Sequence, residues 1–367
     1  MAPDPSNSSS SSFILVGVPG LEAFPTCLGV LFCSAYVMAL VGNGAVLLVT
    51  GLDESLCAPS HRLLAMLAAI DVLMVTAVVP KLLSVLWLGS AEIGYAACFV
   101  QMFLVHSATS EESGLLVAMA VDRYVAVCHP LRYHTILSVR AVAQMGLAVV
   151  LRGLLFAVPL AGLVTALPYC SSRVVPHSYC EHLAVAELAC ADPAPAGLYS
   201  VAGSSLIVGT DGAVIAASYA AILRAALGHG ACRRALSTCG CHLCAVLLYY
   251  LPGIVSIYAQ HWGGAVPLPA RVLLADLYVT LPSALNPLVY SLRSGPIRQA
   301  LLRLLLPRTD RACFSRHARR GRGSASCVPG NAHDDTEKQE PTFESGDVPS
   351  ARNIPVIIQG VNAQILL

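Results

Sequence analysis

The sequence predicts an all-α membrane protein: a seven-transmembrane helix bundle with its N-terminus outside and its C-terminus inside. Three observations predict it. Of the 367 residues, 56% are hydrophobic and 12% charged, against about 45–50% and about 25% in soluble domains, and the mean hydropathy is +0.69. The apolar residues gather in seven continuous runs, each matching the roughly 20 residues a helix needs to cross a bilayer core. Arg residues fall mainly on alternate breaks between those runs, as a fixed orientation in a membrane requires.

Residues 1–26 form the N-terminal segment. Met1 to Ser12 is Pro/Ser-rich without Lys or Arg, and so lacks the basic and apolar regions of a cleaved signal peptide. Asn7-Ser8-Ser9 is a glycosylation sequon, usable only on the lumenal side. Residues 27–293 hold the spans: Cys27–Leu52, Leu63–Leu88, Cys98–Val121, Ala141–Leu167, Leu198–Leu223, Leu236–Ala259 and Val272–Leu292. The runs are continuous rather than alternating, which argues against a β-barrel. Arg152 and Asp211 interrupt the fourth and fifth. Residues 294–367 begin with Ile297, Leu301 and Leu304-Leu305 among Arg298 and Arg303, the pattern of an amphipathic helix on the inner membrane surface. The basic Arg319 to Arg322 and the acidic Asp334 to Asp347 then read as a long, disordered cytoplasmic tail.

Breaks after odd-numbered spans carry Arg62, then Arg132 and Arg140, then Arg224, Arg233 and Arg234. The segment before span one and the break after span two carry no Lys or Arg, and the remaining breaks carry only Arg173 and Arg271. That places the N-terminus outside, in agreement with the sequon. Cys98, Cys170, Cys180 and Cys190 then fall at or beyond the outer surface, where disulfides persist. Four cysteines allow three pairings, and spacing does not choose among them. A net charge of +1, with no basic stripe, gives no reason to expect nucleic acid.

Ionisable groups inside spans are costly and usually face a bundle interior or a cavity. They are Asp71, Lys81, His106, Glu111, Glu112, Arg152, Asp211, His242 and Asp276. Lys81 and Asp276 lie near span ends, where long side chains can snorkel. Asp71 and Glu112 lie well inside. An ion or water site between helices is preferred for them over a proton path, because no motif repeats between the halves as in many transporters. Cys239, Cys241, His242 and Cys244 are of zinc-ligand type, but Cys239 and Cys241 point to different helix faces. His177, Cys180 and His182 could hold a soft metal only if Cys180 stayed reduced. Ordinary packing is preferred for both groups, so no metal and no cofactor is expected. No hydrolase elbow, phosphate loop or metalloprotease motif occurs, and an enzyme is not expected.

Met119-Ala120-Val121-Asp122-Arg123-Tyr124-Val125-Ala126-Val127-Cys128 resembles the signature of olfactory receptors, within the rhodopsin-like G-protein-coupled receptors. Gly42-Asn43, Leu67 to Asp71 with Pro80-Lys81, Ser218-Tyr219, Ser237-Thr238-Cys239 with His242, and Leu285-Asn286-Pro287-Leu288-Val289-Tyr290 agree in order. Phe13 to Glu22, His106 and His177 to His182 resemble the class I, fish-like members. The resemblance covers residues 13 to 306.

The resemblance implies a plasma-membrane odorant receptor, expected in olfactory cilia, that couples a small odorant to a stimulatory olfactory-type heterotrimeric G protein and cyclic AMP. It implies the pairings Cys98–Cys180 and Cys170–Cys190. Activation roles are expected for Asp122, Arg123, Tyr124, Tyr219, Asn286, Pro287 and Tyr290, with Asp122 restraining Arg123 at rest. Asn43, Asp71 and Glu112 match a polar core that can hold sodium. The pocket is expected between spans three, five, six and seven. His106, Thr109 and Ser110 would share one helix face there, facing Ile257 and His261, with Arg271 nearby. Class I resemblance suggests carboxylic acids, although His261 stands where many members have Arg. Arg271 and Asp276 also replace the family's His and Asn. A metabolite receptor used outside the nose and a proton-coupled transporter are the alternative readings; the Asp122-Arg123-Tyr124 and Asn286-Pro287 motifs argue against the transporter.

Overall fold

The computed structural model describes residues 12–53, 56–170, 172–228, 232–261, 266–291 and 295–305. Asn7, the tail beyond residue 305 and the side chain of His261 lie outside this set. Six helices are each long and apolar enough to cross a membrane. They are α1 (Pro25–Leu52), α2 (Pro59–Leu88), α5 (Val139–Thr165), α7 (Ala194–Gly228), α8 (Cys232–His261) and α9 (Leu268–Ser291). The seventh, α3 (Tyr95–Cys128), qualifies together with a short helical turn bent by 115° behind it. That turn is the 3-10 piece Pro130–Arg132 running into α4 (Tyr133–Ile136).

Helix and run bounds differ by a few residues: α1 and α2 start earlier than their runs and end with them, while α5 starts at Val139 and stops at Thr165, before the run's Leu167. Pro25 and Pro59 open α1 and α2, where a missing N–H costs nothing. Ser138 caps α5 by accepting from the Ala141 amide at 3.2 Å. Gly89 closes α2 at φ +63°, a left-handed conformation that suits a residue without Cβ. Pro80, Pro159, Pro252, Pro282 and Pro287 lie inside helices, which membrane helices tolerate when neighbours satisfy the freed carbonyls.

The one long helix that is not apolar enough to qualify as a span by itself takes the central position. α3 packs on α2, α5, α7 and α8, so Glu111, Glu112 and Asp122 are buried in protein rather than facing lipid. Small residues let the helices approach, as is common in membranes. A Cβ at Gly42 would stand 2.7 Å from Pro287, and one at Gly153 would stand 2.7 Å from Glu111. A further helix, α10 (Gly295–Leu305), buries Ile297 and Ala300 against the bundle while Leu302 stays exposed.

One end of the bundle carries a three-stranded sheet. Its central strand β1 (Ser12–Leu15) pairs antiparallel with β2 (Glu92–Gly94) and parallel with β3 (Val174–Val175). Phe13, fully buried, packs its ring against Tyr95 and Tyr169 at centroid distances of 4.4 and 5.3 Å. Lys81 donates to the Ser90 and Glu92 carbonyls at 2.7 Å, tying α2 to the same end. Disulfides join Cys98 to Cys180 and Cys170 to Cys190, with Cα separations of 5.4 and 6.0 Å. The first links α3 to the loop ahead of α6 (His182–Ala186). Cys98→Ser is expected to cost about 2–4 kcal/mol of stability, measured as a lower melting temperature and reduced surface display.

Candidate ligand cavity

Beneath the sheet and the disulfide loop lies a cavity of about 110 Å³. From α3 it is lined by Val105, His106, Thr109, Ser110 and Ser113, residues that recur at helical spacing on one face. α7 adds Ser200, Ser204, Ile207 and Val208, α8 adds Tyr249, Tyr250, Ile257 and Gln260, and α9 adds Ala275, Tyr278 and Val279. Phe156 closes the α5 side, and Tyr179, Glu181 and His182 form the roof. Arg271 is not among the described lining residues.

The roof is a buried polar cluster. The His106 ring meets His182 edge-on at 4.7 Å, and His182 Nδ1 lies 2.6 Å from Glu181 Oε1. Glu181 Oε2 also accepts from the Ala184 amide at 2.8 Å, capping α6. Burial alone would raise the Glu181 carboxyl. The His182 and His177 imidazoles and the Ala184 amide outweigh it and hold the group well below the usual carboxylate range, so its ionised form persists.

Burial lowers His177 to about 4, with Glu181 opposing and His182 and Arg271 reinforcing. An unfolded imidazole titrates near ~6.5, so from pH ~6.5 down to ~4 the unfolded chain takes up a proton that the folded one refuses. Stability is therefore full above that window and falls within it by at most about 1.4 kcal/mol per pH unit. The melting temperature of purified protein should drop as pH falls through this range, and His177→Gln should flatten the slope. Equal slopes in both proteins would refute the assignment.

Asp276 corrects one expectation. It does not snorkel: it is fully buried and accepts a hydrogen bond from Ser178 in the disulfide loop. The two interruptions of spans four and five prove to be a pair. Arg152 Nη1 lies 2.7 Å from Asp211 Oδ1, and its Nη2 donates to the Ser110 carbonyl and to Ser113 Oγ. Tyr250 donates to the other oxygen of Asp211 at 3.1 Å. Just below the cavity, one ionic knot thus joins α3, α5, α7 and α8.

Further along the bundle, the Asn286 amide donates to Asp71 at 3.1 Å and to Glu112 Oε1 at 3.4 Å. Asn43 donates to the Ala39 and Ser283 carbonyls at 3.0 and 2.8 Å. At the end opposite the disulfides, Arg123 Nε lies 3.4 Å from Asp122 Oδ2. Tyr133 donates to Asp122 Oδ1 at 2.7 Å. Tyr124 meets His129 Nε2 at 3.3 Å. Tyr219 reaches His242 Nδ1 at 2.8 Å, while His242 Nε2 lies 2.9 Å from the Leu116 carbonyl. Since a carbonyl only accepts, Nε2 carries the proton and Nδ1 accepts from the tyrosine. The Tyr290 hydroxyl is buried and has no partner among the described residues. No three His, Cys, Asp or Glu residues gather as a metal site among the described residues.

A family model described as olfactory receptor matches residues 32–308. The chain belongs to the olfactory receptor family. Human Olfactory receptor 52I2 is 47% identical to this receptor over 300 residues, covering 81% of this chain and 86% of the relative. Human Olfactory receptor 52I1 is also 47% identical over 300 residues, covering 81% and 93%. Human Olfactory receptor 52H1 is 42% identical over 295 residues, covering 80% and 94%. The receptor is a multi-pass membrane protein of the G-protein-coupled class, not an enzyme. In the sequence Arg152 and Asp211 stand singly, as interruptions of spans four and five. Tyr133 carries no signal of its own in the sequence. Each link depends on helix placement rather than on spacing along the chain.

Proposed function

We propose that this receptor sits in the plasma membrane of olfactory cilia with the disulfide end outside, and binds a small odorant in the cavity under the Glu181–His182 roof. Ligand binding shifts a two-state equilibrium towards a form that activates a stimulatory olfactory-type G protein and raises cyclic AMP. A ligand can do so only by binding one state better than the other. The observation carrying this reading is that one cavity touches α3, α7, α8 and α9 while α3 carries the Asp122–Arg123 pair at its far end. His106, Thr109, Ser110 and Ile257 are the proposed ligand contacts. The inward-facing Asp122-Arg123-Tyr124 segment, Tyr219, Asn286, Pro287 and Tyr290 are the proposed readout, and Asn43, Asp71 and Glu112 a sodium-binding core. Asn7 is proposed as a glycosylation site.

Acid recognition through Arg271 gains no support from the cavity, which Arg271 does not line. Cyclic AMP measured across an odorant panel, in cells expressing this receptor with the olfactory G protein, tests the function. An odorant-dependent rise is expected. Silence across the panel at verified surface display would reject the reading.

A further inference from the structure

The hydrogen-bonding inventory of the cavity wall specifies what its ligand must offer. Several hydroxyls there already donate to the protein. Tyr249 donates to the Thr109 carbonyl at 2.6 Å, Thr109 to the Val105 carbonyl at 2.7 Å, and Ser113 to the Ser110 carbonyl at 3.0 Å. Tyr250 is committed to Asp211. Three buried polar atoms of lining residues are left over among the described residues. Ser110 Oγ is buried, its residue 3% exposed, and has no partner among the described residues. Gln260 Nε2 on α8 and His182 Nε2 in the roof are likewise buried atoms without a partner among the described residues. A serine hydroxyl and an amide nitrogen can both donate, so the unmet need on each side of the cavity is an acceptor.

Among the described residues the wall offers an acid no Lys or Arg to pair with, and its Glu181 carboxylate is paired with His182 Nδ1 at 2.6 Å. The guanidinium nearest the floor, that of Arg152, is occupied by Asp211 and by Ser110 and Ser113. Burying a carboxylate without a cation of its own is costly. The volume of about 110 Å³ is smaller than an apolar cavity of ~150 Å³ that takes up benzene. It suits a ligand of about five non-hydrogen atoms by the same scale.

We propose that this cavity selects compact uncharged carbonyl compounds, aldehydes, ketones or short esters, whose oxygen accepts a hydrogen bond from Ser110 Oγ or Gln260 Nε2, and discriminates against carboxylates. The proposal rests on the odorant-receptor reading and adds a ligand class to it. The dependence is specific: a site that must donate rejects an analogue that leaves its donor unmet.

The test is a cyclic AMP dose-response of the full-length receptor to butanal, 2-butanone and butanoate at pH ~7, where the acid is ionised, beside a broad odorant panel. The carbonyl compounds are expected to act at lower concentration than butanoate. Ser110→Ala is expected to raise their half-maximal concentration about 3–10-fold, the worth of one hydrogen bond, and Ser110→Thr, which keeps the hydroxyl, to restore most of it. Gln260→Leu, at the other side of the cavity, is the second probe should Ser110→Ala fail to reach the surface. Butanoate acting at lower concentration than the carbonyls would overturn the ligand class and leave the receptor reading standing. So would carbonyl potency unchanged in both Ser110→Ala and Gln260→Leu, or a response only to other panel members. Silence to every compound at normal surface display would overturn the receptor reading together with this one.

Discussion

Replacing Arg152 by Ala is expected to remove most of the receptor from the cell surface. Asp211 is 4% exposed and would lose a partner at 2.7 Å, leaving a carboxylate inside the bundle with only the Tyr250 hydroxyl beside it. Breaking one side of a buried pair costs about 3–5 kcal/mol, whereas replacing both members by apolar groups of similar volume is often neutral or stabilising. The loss is also one of connection, since Arg152 holds the Ser110 carbonyl and Ser113 on α3. Surface immunostaining and melting of the detergent-purified protein measure the effect. Arg152→Met with Asp211→Leu should recover most of the stability that Arg152→Ala loses. A single variant as stable as the parent would show that the pair contributes no net stability.

Asp122→Asn is expected to raise basal cyclic AMP about three- to tenfold, the size of one charge-assisted hydrogen bond of roughly 1.5–3 kcal/mol partly replaced by a neutral one. Asp122 is 1% exposed and faces two partners, the Arg123 guanidinium at 3.4 Å and the Tyr133 hydroxyl at 2.7 Å. The amide keeps a hydrogen bond to Tyr133 but gives up the ionic hold on Arg123. Tyr133→Phe leaves the ion pair in place and should raise the baseline less. The ordering of the two variants is the decisive readout, taken at equal surface level. An unchanged baseline in Asp122→Asn would mean that the pair does not restrain the active form.

The seven spans were legible because lipid selects continuous apolar runs, and each run became a helix with bounds shifted by a few residues. The third is not apolar enough to qualify as a span by itself, and its place explains it: α3 is enclosed by α2, α5, α7 and α8. Partnerships across the bundle were less legible. Arg152 and Asp211 stand 59 positions apart, and nothing in their local sequence announces a pair. Tyr133 reaches Asp122 only because the chain turns sharply through Pro130–Arg132. Asp276 read as a span-end residue because its partner, Ser178, comes from a loop folded back over the bundle. For the cavity, spacing brought His106, Thr109 and Ser110 to one face of α3. The commitment of the neighbouring hydroxyls, which gives Ser110 its significance, requires the positions of α8 and α9.

The parallel pairing of β1 with β3 has a consequence for biosynthesis. Ile14 and Leu15 align with Val174 and Val175, about 160 residues later in the chain. At roughly 5–20 residues per second of synthesis, the strand made first waits about 10–30 s for its partner, with Phe13 still without the Tyr169 ring it packs against. Until four spans have been inserted, β1 can pair only with β2 on one side, and its other edge stays open, the kind of surface that calls for chaperones. The yield of mature receptor is therefore expected to depend on how long that open edge is protected as well as on how stable the finished bundle is.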